Sequence, residues 1–113
     1  MQKVNFKWIR GDDQSETLVF TNTDGSLLDL TDYRIDLHIK PKDSDSKPIK
    51  LSTTNGTIKV NINKVTFVVG NALTDGVDWE RANWDLQTIS RDGVVKTLVG
   101  GEIKLIHDIT RGD

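Results

Sequence analysis

Along most of the chain, apolar and polar residues alternate with a period of two, the pattern of strands with one buried face. Val4, Phe6 and Trp8 alternate with Lys3, Asn5 and Lys7 in an opening strand. Arg10-Gly11-Asp12-Asp13 interrupts it with turn chemistry, and Ser15 to Thr21 resumes with Leu18 and Phe20 on one face. Asp24-Gly25 predicts a tight turn, and Leu28, Leu30 and Tyr33 predict a crossover between sheets. Ile35, Leu37 and Ile39 alternate with Arg34, Asp36, His38 and Lys40 in a third strand. The polar stretch Pro41 to Pro48 predicts a loop, and Ile49 and Leu51 a short strand before Asn55-Gly56. Ile58, Val60 and Ile62, then Val65, Phe67 and Val69, flank Asn63-Lys64 and read as a hairpin or a bulged strand.

Gly70 to Glu80 admits a helical turn and nothing longer, because Thr74-Asp75-Gly76 breaks it. Asn83 to Ser90 then places Trp84, Leu86 and Thr88 on one face. Asp92-Gly93 predicts a type I′ hairpin from which Val94 to Val99 returns. Gly100-Gly101 predicts a kink or bulge, and Ile103, Leu105 and His107 share a face of the last strand. Residues 109–113 predict a polar, frayed end. The count is about seven or eight short strands at the spacing of a sandwich or barrel.

Composition agrees. Val and Ile occur 10 times each and Thr 12 times, against two Ala and three Glu, so β-branched residues outnumber the strong helix formers. A chain of 113 residues forms one domain, 1–113. Its apolar runs are too short for a transmembrane helix or a signal-peptide core, so no membrane partner is expected. Cys is absent, which removes disulfides, thiol catalysis and Cys-based zinc sites. The net charge of −2 lacks the basic excess of a nucleic-acid binder.

Candidate chemistry is sparse. His38 falls on the polar face of its strand and His107 on the apolar face, neither beside a second ligand at metal spacing. Most of the 14 Asp stand in turns, where backbone geometry favours them. Asp43-Ser44-Asp45 starts like a calcium loop but lacks its Gly and distal Glu. Asp36 and Asp85 would have to converge with a histidine to serve a small hydrolase. Arg-Gly-Asp occurs at 10–12 and again at 111–113, in a turn and at the chain end. Lys40, Lys42, Lys47, Lys50 and Lys59 form a mildly basic region without interleaved aromatics. Trp8 and Trp84 belong to the core; Trp79, between Asp78 and Glu80, is either a lid over the core or a contact anchor. No catalytic residue, metal or cofactor is expected.

The order of the short motifs adds a resemblance. Phe6-Lys7-Trp8-Ile9-Arg10-Gly11-Asp12-Asp13 is followed by Leu18-Val19-Phe20-Thr21, Thr23-Asp24-Gly25 and Leu28-Asp29-Leu30-Thr31-Asp32-Tyr33. Trp84-Asp85-Leu86-Gln87, Arg91-Asp92-Gly93, Lys96-Thr97-Leu98-Val99-Gly100-Gly101 and Asp108-Ile109-Thr110-Arg111 complete the series. The series resembles the N-terminal domain of phage baseplate upper proteins and related tail-fibre and virion-attachment proteins. Asp32 stands where that family has Gly before the Tyr, and the fibre region of larger relatives is missing.

The resemblance implies an all-β, immunoglobulin-like antiparallel β-sandwich that docks to other virion proteins without catalysis, as an adaptor or an anchoring module. The expected setting is the virion tail or baseplate, assembled in the host cytoplasm, as a homo-oligomer or ring-bound subunit. Candidate interface residues are Arg10, Asp12, Asp13, Lys42, Asp43, Trp79 and Glu80. A structural role outweighs a contact role for the Arg10 to Asp13 turn, with Arg10 expected to pair with Asp12, Asp13 or a distant acid. Competing readings are a capsid decoration or head-fibre protein and a carbohydrate-binding or adhesion module.

Overall fold

The computed structural model describes residues 2–42 and 46–106 and is all-β. The strands are β1 (Gln2–Lys3), β2 (Phe6–Ile9), β3 (Gln14–Val19), β4 (Arg34–Pro41), β5 (Ile49–Ser52), β6 (Ile58–Asn61), β7 (Lys64–Val69), β8 (Arg81–Ile89) and β9 (Val95–Ile106). One 3-10 turn, Asn71–Leu73, lies in the connection where a single helical turn is expected. The larger sheet runs β1-β9-β8-β4-β5, with β2 also on β9, and the smaller runs β3-β7-β6. The segment from Leu28 to Tyr33 carries the chain from the smaller sheet to the larger, and buried Leu30 anchors it.

The inward residues of both sheets form one core. β4 buries Ile35, Leu37 and Ile39, β7 buries Val65, Phe67 and Val69, and β8 buries Ala82, Trp84, Leu86 and Thr88. The rings of Phe6 and Trp84 in the larger sheet approach Phe67 in the smaller, at centroid distances of 5.8 and 6.3 Å. Phe6 also lies 5.6 Å from Trp8 and 5.1 Å from Trp84. Such pairs add about 0.5–1.5 kcal/mol each beyond the area they bury. The Trp8 Nε1–H donates to Glu16 Oε2 at 3.0 Å, tying β2 to β3 across the sandwich edge. Glu16 is an inward-turned charge on an edge strand, a device that discourages pairing with a further strand.

Three expectations are corrected. The larger sheet is mixed, not antiparallel, because β1 and β2 both run parallel to β9. The opening segment is two strands, which raises the count among the described residues to nine. Between them the Val4 N–H donates to Gly100 O at 2.9 Å, the Asn5 Oδ1 accepts from Glu102 N at 2.9 Å, and the Trp84 indole donates to Val4 O at 3.0 Å. A Cβ on Gly101 would stand 1.9 Å from that carbonyl oxygen. Gly101 therefore admits a close backbone approach. The register shift of β9 against β8 lies earlier, where Leu86 pairs with Val99 and Gln87 with Thr97, leaving Leu98 as the extra residue of a bulge.

The β8–β9 hairpin is the third correction. Ser90 N donates to Val94 O and Gly93 N to Ser90 O, and Gly93 has φ 81°. Asp92 is not in the positive-φ region that a type I′ turn requires, so the loop is a type I turn closed by a left-handed glycine. The Asp24-Gly25 turn repeats that geometry, with Asn22 N on Ser26 O and Gly25 N on Asn22 O. β6 and β7 form a true hairpin through Ile62 and Asn63, and Ile62 has φ 56°. Its carbonyl accepts Leu30 N at 2.8 Å, and the buried Asn63 amide donates to Phe20 O at 3.0 Å. Those bonds hold a conformation that a β-branched residue otherwise avoids.

Gly101→Ala is expected to cost about 3 kcal/mol, the upper range for overpacking, and to expose Trp84 as the Val4 carbonyl withdraws. Urea unfolding followed by tryptophan fluorescence measures both; an unchanged midpoint would show that the approach of Val4 is not constraining.

Candidate functional site

Most of the candidate interface residues gather at one end of the sandwich. Asp12 N donates to Ile9 O at 3.1 Å around Gly11, whose φ is 82°. Positive φ at the third residue of a four-residue turn is the type II geometry that selects Gly. The turn then grips the Gly70–Glu80 connection. Arg10 Nη2 donates to Trp79 O at 3.0 Å, Gly11 N to Thr74 Oγ1 at 2.9 Å, and Asn71 N to Asp13 Oδ1 at 2.7 Å. Thr74 is fully buried, and Arg10 N donates to Ile106 O at 2.8 Å. Arg10 thus holds a carbonyl where an acid was expected, and its Nε is buried without a hydrogen-bond partner among the described residues.

Trp79 is 2% exposed and forms part of the core, so it is the lid and not the contact anchor. Its burial follows from the clasp, because Arg10 fixes its carbonyl while Leu105 N donates to Glu80 O at 2.8 Å. Glu80 is exposed at the rim of a 240 Å³ depression lined also by Lys42, Asp78, Trp79 and Arg81. Asp43 and His107 lie outside the described residues, as do the Asp43-Ser44-Asp45 motif and the second Arg-Gly-Asp.

Lys42 departs from the clasp and joins the outer face of the larger sheet. Its N–H donates to Arg81 O at 2.9 Å and its Nζ pairs with Glu102. The Lys42 hydrogen bond and charge, helped by Arg81 and Lys3, hold the Glu102 carboxyl below the usual carboxylate range. A carboxyl lowered in the folded state contributes stability above its ordinary titration range, and that contribution is lost as pH falls through the lowered value. Glu102 is partly exposed and screened by solvent, so the effect is one of charge placement more than of stability.

The remaining candidates are spread over that same solvated face. His38 stands opposite Asp85 across β4 and β8, while Asp36 stands opposite Gln87. Asp36 accepts from Arg34 Nε at 3.2 Å and from Ser52 Oγ at 2.7 Å. His38 and Asp85 line an open 260 Å³ depression with Lys40, Asn83, Trp84 and Gln87. Trp8, Trp79 and Trp84 are 1%, 2% and 3% exposed, so the tryptophans build no aromatic platform for a sugar ring. Among the described residues no three His, Asp or Glu are placed to hold a metal ion.

Sequence reasoning missed Thr74, whose hydroxyl receives a backbone N–H 63 residues away. It also missed Lys7, Arg81 and Lys104, which line a 350 Å³ groove with Asn5, Phe6, Glu102 and Ile103. Alternation placed Lys7 on an outward face, but only strand register brings the three cations together. Compared with known proteins, the chain matches no family model and no curated sequence.

Two measurements test the site. Thr74→Val removes the buried hydroxyl that accepts the Gly11 N–H and is expected to cost about 1–3 kcal/mol in urea unfolding; a smaller loss would mean the clasp does not depend on that bond. In a carbon-detected pH titration, Lys42→Gln should raise the Glu102 midpoint towards that of ordinary glutamate. A midpoint that stays low would assign the effect to Arg81 and Lys3 instead.

Proposed function

We propose that the protein is a non-enzymatic structural component of a phage virion, of the tail or baseplate or a fibre adaptor, and that it acts by docking to other virion proteins. The observation that carries this reading is the clasp. Arg10-Gly11-Asp12-Asp13, the first motif of the resemblance, is a folded device in which all four residues hold backbone positions. A motif with four such duties belongs to the architecture of a domain, which is the level at which the resemblance is drawn.

Strand order supports the finer fold. The smaller sheet, β3-β7-β6, corresponds to the B-E-D order of an immunoglobulin-like sandwich. The larger, with β2, β9, β8, β4 and β5, corresponds to A′-G-F-C-C′. Parallel pairing of β2 with β9 suits an A′ strand beside G. We therefore read the domain as an immunoglobulin-like sandwich that serves as a rigid frame, with recognition left to its outer surface. Arranged in a ring or trimer, modest contacts of each copy sum by avidity.

Immunogold labelling of phage particles with an antibody against this chain is expected to mark the tail or its distal end. Labelling of the head would establish the capsid-decoration alternative. A strict monomer by light scattering, with no label on particles, would overturn the docking reading.

A further inference from the structure

The outer face of the larger sheet carries an arrangement of charge that folding alone disfavours. Lys7 of β2 stands opposite Lys104 of β9, and Lys104 stands opposite Arg81 of β8. Three exposed cations thus form one row across three adjacent strands, on the side opposite Trp8, Leu105 and Ala82 of the core. Cross-strand neighbours hold their Cβ atoms about 4.5–5.5 Å apart, where like charges repel. Among the described residues the ion pairs are Arg34–Asp36, Lys42–Glu102 and Arg91–Asp32, so the one carboxylate at the groove that feels Arg81, Glu102, is paired by Lys42, and no ion pair engages the row itself. The chain as a whole is slightly acidic, so the row is not a by-product of general basicity.

Two neighbours refine the chemistry. The Asn5 Oδ1 is occupied by Glu102 N, which leaves the amide protons of Asn5 as donors at the groove. One step along the same face, Ile9 stands opposite Ile106, and both are exposed, at 42% and 36%. With strands about 4.8 Å apart the row is roughly 10 Å long. That exceeds the reach of one small anion and accommodates alternate side chains of an extended segment, about 7 Å apart.

We propose that the Lys7–Lys104–Arg81 row, with the Ile9–Ile106 pair beside it, seats an extended segment of a partner protein in which acidic and apolar residues alternate. That the occupant is a protein rests on the docking reading above; that it is acidic rests on the row alone.

The test is an NMR titration of the full-length, nitrogen-15-labelled chain with a hexapeptide of alternating glutamate and valine, against the same peptide with glutamine for glutamate. The expected result is selective binding of the glutamate peptide, weakened by salt, with shifts concentrated in residues 5–9, 81–83 and 102–106. Lys7→Gln with Lys104→Gln should weaken it about threefold to tenfold, the range for two exposed charge pairs. Arg81→Gln should act in the same direction, and Lys59→Gln with Lys64→Gln, on the other sheet, should not. Equal binding of both peptides, equal weakening by the Lys59 and Lys64 substitutions, or tighter binding of inorganic tripolyphosphate than of the glutamate peptide would overturn the proposal. A chain absent from particles whose row still captures the glutamate peptide would overturn the docking reading alone. A chain whose Lys7 and Lys104 variant still seats normally on particles would overturn the row alone.

Discussion

The passage of the first strand over the last is the constraint on which the rest of the structure depends. Val4 can lie against Gly101 only because that residue has no side chain, and the carbonyl so placed receives the Trp84 indole. The same contact sets the phase of β2, turning Phe6 and Trp8 inward and Lys7 outward. The aromatic cluster joining the two sheets, the clasp beyond Ile9 and the cationic row on the outer face all inherit their positions from it. A single backbone approach therefore serves both the dry interior and the charged exterior.

At the clasped end, polar groups of the turn and of the connection meet directly, while the Arg10 Nε stays buried without a hydrogen-bond partner among the described residues. Gly11 N finds Thr74, Asn71 N finds Asp13, and the Trp79 carbonyl finds Arg10. Each bond joins segments far apart in the chain, so the connection ahead of β8 is fixed by the turn behind β2. This arrangement explains why the tryptophan of that connection is buried despite acidic neighbours on both sides. It also leaves the end of the molecule rigid and mostly committed to holding itself together. Charge, exposed isoleucines and a groove coincide instead on the outer face of the larger sheet.

Strain occurs where the chain has least choice. Ile62 takes a positive φ in a two-residue hairpin loop, the place where glycine is usual, while Leu30 and Phe20 draw hydrogen bonds from or to that loop. Gly25 and Gly93 do the corresponding task without strain in two loops of identical bonding. The contrast separates turns chosen by local sequence from a turn imposed by the segment that crosses between sheets.

Local sequence determined much of this protein. Alternation gave β4, β7 and β8 with their inward residues, because a side-chain period of two is a property of the extended backbone itself. It identified Trp8 and Trp84 as core, Leu30 as an anchor and the glycine-bearing turns as turns. Tertiary structure decided the remainder. The parallel pairing of β1 and β2 with β9, the clasp to Thr74 and the cationic row all join residues tens of positions apart. Their partners are selected by which backbones can approach and which buried groups need pairing, and nothing in a residue's own neighbours encodes that choice. For Trp79 the local sequence left a core lid and a contact anchor equally open; its burial, with its carbonyl held by Arg10 from 69 residues earlier, makes it the lid.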